Sequence, residues 1–359
     1  MKKTLLALLI AVAMILGLAG CGSPEEEQPE EQVTYDIALV TDAGLLMDGG
    51  YSEVAWNTIS EYGAANGVSH KYYKASEASE KAYLDTVKIA VEGGAKIIVA
   101  DGAAFEDVVY QAQEEYPDVK FVLIDAEPTN EESGDSKIAK NTMSVMFASE
   151  QAGYLAGYSA VAEGFTKLGF LGGVKNATAM DYEYGFLQGA EAAAQAQGVS
   201  VSVRTSFSGA ETEQRAVVEK AKTWYQDGTE VILACGKSAE LPVIEAAELA
   251  EGKVIVCETD KSKLSDTVIT SAEKNFPAAI EAALEQYGAD AFPGGTSVKY
   301  NVADEMIQLE LENSRFENFQ KGDYKALIKA LENGETEVKT HEAGSMKSLD
   351  LKAVTIEEK

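Results

Sequence analysis

Short apolar runs in this chain repeatedly end in a carboxylate or a bare glycine: Thr41-Asp42, Asp101-Gly102, Asp125, Gly172-Gly173, Cys235-Gly236, and Glu258 with Asp260. Ionised carboxylates only accept hydrogen bonds, so a set of them matches donors: sugar hydroxyls, amino groups or a cation. Aspartate at such a junction serves equally as a helix cap or turn former, and Asp125 reads as structural in that sense. Phosphate chemistry needs glycine-rich helix starts with Lys or Arg, and neither G-x-G-x-x-G nor G-x-x-x-x-G-K-[ST] occurs. Hydrolysis by a serine elbow needs G-x-S-x-G and a histidine; the motif is absent, and the 2 histidines, His70 and His341, lie outside the strand-end set. The 3 cysteines fit no zinc spacing, and Cys235 and Cys257 read as buried thiols in apolar runs. No enzyme, metal or cofactor is expected.

The elements that must position these groups are legible as a rhythm. The runs "YDIALVTD", "AKIIVADG", "VKFVLIDA", "TKLGFLGG", "TEVILACG" and "GKVIVCETD" are continuous rather than alternating, which suits strands buried on both faces of a parallel sheet. Helices lie between them. "SEKAYLDTVKIAVEGGAK" aligns Tyr83, Val87, Ala90 and Val91 on one face and stops at Gly93-Gly94; "EQRAVVEKAKTWYQDG" aligns Ala216, Val217, Ala221 and Trp224. Strand–helix–strand repetition predicts an α/β fold of two doubly wound parallel-sheet lobes joined by several crossover segments. The polar stretch at 125–141 and the break near Lys261 set the boundaries: 34–126 plus 262–299 for one lobe, 142–258 plus 302–335 for the other, and an extended segment over 336–359. Ligands of open parallel sheets bind beyond the carboxyl ends of the strands, so two facing lobes would aim both carboxylate sets into one cleft. In "DAGLLMDGGYSEVAWNTI", Tyr51 opens a helix under that cleft. Its ring either stacks on a flat ligand, worth about 0.5–1.5 kcal/mol beyond burial, or packs on the sheet as Trp56 is expected to do.

The first 33 residues carry a separate message. Lys2 and Lys3 precede 16 uncharged residues (5–20), which as a helix would span ~24 Å, short of the roughly 30 Å of a bilayer core. That is a secretory signal over residues 1–20. "Leu-Ala-Gly-Cys" at its end resembles the bacterial lipobox, in which the cysteine, here Cys21, is lipidated; two acyl chains on it would anchor the chain stably. Residues 21–33 then form an acidic tether, with five glutamates and two prolines after the cysteine. The net charge of −29 disfavours nucleic acid and anionic surfaces as partners.

Several stretches in order resemble the basic membrane protein family, lipid-anchored substrate-binding proteins of ABC transporters typified by purine nucleoside receptors. Asp42, "AGLLM" and Asp48-Gly49-Gly50-Tyr51-Ser52 follow its first motif, an Asp, a Gly-rich loop and "DKSFN". "EEYPDVKFVLIDA", "SVMFASEQAGYLAGYSA", "KLGFLGG", "YEYGFLQGAEAA" and "VIVCETDKS" follow later ones. The resemblance implies a type I periplasmic-binding-protein fold, a monomer on the extracytoplasmic face of the cell membrane, and permease and ATPase partners. It implies a nucleoside held between the lobes. Asp42 and Asp48 would lie near the first-lobe wall with Tyr51 at the motif's aromatic position and Ser52 beside it, Gly236 and Glu258 on the ribose side with Asp260 close by, and Phe105, Tyr182 and Phe207 as candidate stacking rings; Asp101 joins the candidates by its strand end. Ser52 replaces the motif's asparagine, Glu258 its usual aspartate, and Glu211 stands where many relatives carry an aromatic residue. A sugar in place of the nucleoside, or a sensory partner in place of the permease, is the alternative the same residues leave open.

Overall fold

A computed structural model describes residues 34–47, 49–209 and 214–358. Cys21, the signal, the tether, Asp48 and Glu211 lie outside the described residues. The first sheet is built from β1 (Ile37–Thr41), β2 (His70–Lys74), β3 (Ile97–Asp101), β4 (Lys120–Ile124), β5 (Thr142–Phe147) and β11 (Thr296–Tyr300). All pair in parallel, in the order β11-β5-β4-β3-β1-β2. The second holds β6 (Lys167–Gly172), β7 (Val201–Phe207), β8 (Val231–Cys235), β9 (Lys253–Glu258), β10 (Val268–Lys274), β12 (Ile307–Leu309) and β13 (Val354–Glu358). Its order is β12-β10-β9-β8-β6-β7-β13, parallel except for the short β12. The central strands are buried on both faces, as continuous apolar runs demand.

Helices α1 (Tyr51–Asn66), α2 (Glu80–Glu92) and α3 (Glu106–Glu115) cover the first sheet. The second is flanked by α4 (Ser149–Glu163), α5 (Ala177–Gln197), α6 (Gln214–Gln226) and α7 (Lys237–Ala250), with α9 (Lys321–Glu332) beyond them. Helix α8 (Phe276–Gly288) returns to the first lobe and packs on α1, where the Tyr62 hydroxyl donates to the Leu284 carbonyl at 3.0 Å. Helices α4 and α5 meet backbone to backbone. A Cβ on Gly153, Gly157, Gly185 or Gly189 would overlap the carbonyl oxygen of Tyr182, Phe186, Glu150 or Tyr154 respectively.

The first two crossings between the lobes differ from those expected, while the third falls between 299 and 302 as expected. Strand β5 belongs to the first sheet, not the second, so the chain first crosses at Ala148; strand β10 belongs to the second, so the next crossing is at Asn275 rather than near Lys261. The third runs through Asn301. Polarity misled the sequence reading because it reports solvent contact, not a change of sheet. The 125–141 stretch is a loop inside the first lobe, pinned where the Asn141 amide donates to the carbonyls of Gln113, Tyr116 and Val119. The segment over 336–359 is likewise not extended throughout. It ends as edge strand β13, held by Glu191, whose carboxylate accepts from the backbone N–H groups of Lys352, Ala353 and Val354.

Candidate functional site

The carboxyl ends of both sheets face one gap. A cavity of about 100 Å³ is lined from the first lobe by Asp42, Gly50, Tyr51, Ser52 and Asp101, and from the second by Lys237, Glu240, Leu241, Glu258, Thr259 and Lys261. It shares Asp101, Lys237 and Glu258 with a wider chamber of about 640 Å³ toward the crossovers, whose walls include Gly236, Asp125, Phe147, Asp181 and His341.

Several contacts among the described residues bridge the lobes across this gap, among them that of the Thr178 hydroxyl, which donates to Asp125 Oδ2 at 3.2 Å. The Lys237 ammonium lies 3.4 Å from Asp42 Oδ2, the Thr259 hydroxyl donates to the Gly49 carbonyl at 2.8 Å, and the fully buried Lys274 ammonium pairs with Asp125 Oδ2 at 2.6 Å. Lys274 also reaches Glu258 Oε1 at 3.4 Å and lies over the rings of Phe147 and Tyr182. Burial works to lower the Lys274 pKa, but the two carboxylates overcome it and hold the group charged well above its ordinary range. Asp101 is pushed well up by burial first and by the charges of Glu258, Asp42 and Asp125 next. Burial also raises Asp125, against the opposing pull of Lys274.

Asp125 and Glu258 share a further feature. Each sits at a strand end with positive φ, 60° and 66°, a conformation costing about 1 kcal/mol or more for a residue with a Cβ. The ion pairs that both carboxylates make with Lys274 hold them in this conformation. Two buried oxygens here, Asp125 Oδ1 and the Tyr51 hydroxyl, have no hydrogen-bond partner among the described residues. An orphaned buried polar atom costs about 1–3 kcal/mol, which a ligand donor or acceptor would recover.

Asp42, Tyr51, Ser52, Asp101 and Glu258 therefore line the gap and Gly236 lines the adjoining chamber. The stacking rings are elsewhere. Phe105 is fully buried in the first-lobe core with its ring centroid 4.9 Å from that of Tyr83. Tyr182 is fully buried in the second, its hydroxyl donating to the Ala272 carbonyl at 3.1 Å. Phe207 packs on Phe170 with the Lys175 ammonium over its ring, outside both chambers. The Asp260 carboxylate turns inward to the N–H and hydroxyl of Ser262, both at 2.8 Å, and so caps its own loop. The sequence reading missed Lys237, Thr259, Lys261 and Lys274. The strand-end rule finds Lys274 once β10 is recognised as a strand, but nothing in the local sequence signals Lys237.

The profile of the family described as "ABC transporter substrate-binding protein PnrA-like" matches residues 36–340. The chain belongs to that family. It is 27% identical over 343 residues to the "ABC transporter nucleoside-binding protein BmpA" of Lactococcus lactis, covering 88% of this chain and 94% of that one. Basic membrane protein A of Borreliella burgdorferi is 26% identical over 326 residues, with 87% and 91% covered. Among solved structures, a solute-binding protein of an Aeropyrum pernix ABC transporter superposes with a TM-score of 0.73 at 17% identity, covering 89% of this chain and 99% of its own. Another from Conexibacter woesei gives 0.68 at 19% identity, covering 86% and 99%. The fold is thus the two-lobed α/β fold of periplasmic-binding-type receptors. The protein is a non-catalytic substrate-binding component of an ABC importer, and its family membership implies permease and ATPase partners. No helix among the described residues is long and apolar enough to cross a membrane.

Proposed function

We propose that this receptor captures a nucleoside between its lobes and delivers it to a membrane permease. Its hydroxyl-bearing half is held by Asp101, Asp125 and Glu258. The observation that carries the reading is the pair of buried oxygens without a partner among the described residues, Asp125 Oδ1 and the Tyr51 hydroxyl, on a wall already rich in carboxylates. Such a wall needs a ligand with several donors, and ribose supplies them. The nucleoside named in the Lactococcus relative supports the same choice. Cys21, outside the described residues, is the lipid anchor that keeps the receptor on the outer face of the membrane near that permease. A sugar is the second reading. The burial of Phe105 and Tyr182 favours it, because it removes the ring sandwich that a base would use.

Thermal melting of the full chain in detergent separates the two. A ligand bound only by the native state, at about a hundred times its Kd, adds about 2.7 kcal/mol of stability. Inosine, guanosine or adenosine should raise the melting point by several degrees. If none does while a sugar or a small amine does, the nucleoside reading is wrong.

A further inference from the structure

One face of α7 presents Lys237 and, a turn later, Leu241 to the gap between the lobes. Leu241 is apolar yet 46% exposed. Lys237 reaches over the cleft to Asp42 Oδ2 at 3.4 Å, and the loop beneath makes room for it, since a Cβ on Gly44 would overlap the ammonium. The other Asp42 oxygen accepts from the Gly44 N–H at 2.8 Å. Both Asp42 oxygens thus already have a donor. Among the described residues, the charge a ligand meets beside them is the Lys237 ammonium, which donates and cannot accept. A hydroxylated moiety finds acceptors in Asp101, Glu258 and the Asp125 oxygen that has no partner among the described residues. The rest of the ligand then lies against α7, with an aliphatic surface for a flat ring and a donor at its edge.

We propose that Lys237 and Leu241 form the base-reading subsite, selecting heterocycles that carry an oxo group facing Lys237. This rests on the nucleoside reading above and sharpens it: oxopurine nucleosides such as inosine are taken in preference to adenosine, whose exocyclic amine sets donor against donor. The subsite replaces an aromatic sandwich by one aliphatic flank and one charged hydrogen bond.

Calorimetric titration of inosine and adenosine into the full chain and into Lys237→Met tests it. The wild type should bind inosine about tenfold more tightly, the scale of one hydrogen bond to a charged group. Lys237→Met should weaken inosine and bring the two ligands within about threefold of each other. Leu241→Ala should weaken both by a similar factor. Lys237 is 44% exposed, so the variant should fold, and its ligand-free melting point checks that. Equal binding of the two nucleosides by the wild type, or an unchanged preference in Lys237→Met, overturns the subsite while leaving the nucleoside reading intact. Failure of every nucleoside to bind either chain overturns the nucleoside reading, and the subsite with it.

Discussion

Replacing Lys274 by methionine should remove the charge that the floor of the cleft is built around. At an effective dielectric of about 20, an ammonium 2.6 Å from Asp125 and 3.4 Å from Glu258 gains about 6 and about 5 kcal/mol of gross attraction. Most of that offsets the cost of desolvating three charges. Removing one member leaves the others uncompensated at a net cost of about 3 kcal/mol. For a chain of this size each kcal/mol lowers the melting point by about 2 °C, so Lys274→Met should melt about 6 °C below wild type near neutral pH. Asp125, already raised by burial, rises further without Lys274. A carboxyl whose native pKa is raised binds its proton more tightly when folded, so stability falls as pH rises through that range. The deficit of the variant should therefore shrink on moving from about pH 8 to about pH 5. Adding Asp125→Asn to Lys274→Met should restore part of the loss by removing the orphaned charge. Differential scanning calorimetry on the three proteins measures this. A Lys274→Met melting point within about 1 °C of wild type at pH 7.5 would refute the reasoning.

Further outcomes follow from the same contacts. Burial raises Glu273 to about 7, against a hydrogen bond from Gln308, so its ionisation costs native stability as pH rises from its unfolded value. Glu273→Gln should melt like wild type near pH 4.5, above it by pH 8, and gain about 3 kcal/mol at the plateau. Equal melting at pH 8 would contradict this. Gly157→Ala places a methyl against the Phe186 carbonyl and should cost about 3 kcal/mol or more in chemical denaturation, since two helix backbones must separate. Cys21→Ser should move the receptor from the membrane to the soluble fraction on cell fractionation; unchanged membrane association would end the lipid-anchor proposal.

Much of the fold was legible because burial on both faces leaves continuous apolar runs, and "YDIALVTD", "TEVILACG" and "GKVIVCETD" have little other use. Strand β10 was harder to place. Its residues Val268–Lys274 include Thr270, Ser271, Glu273 and Lys274, all buried, so the strand that carries the central lysine looks half polar in sequence. The carboxylates of the cleft were found by the strand-end rule, which depends on topology alone. Two of the rings, Phe105 and Tyr182, were misassigned because position within a helix was not weighed. Ala179, Tyr182, Phe186 and Ala190 recur at helical spacing along α5 and form an inward stripe, which places Tyr182 in the core. Phe105 heads a similar stripe with Val108, Val109 and Ala112. Lys237 was invisible for the opposite reason. Its importance comes from a contact with Asp42, 195 residues earlier in the chain, that exists only once the lobes face each other.

Titration of inosine into the full chain and into Glu258→Gln addresses the claim on which the rest depends, that a donor-rich ligand sits between the two lobes. Saturable one-to-one binding by the wild type, weakened about tenfold or more in the variant, is the expected result. Absence of binding by any nucleoside, or equal affinity in the two proteins, would contradict it.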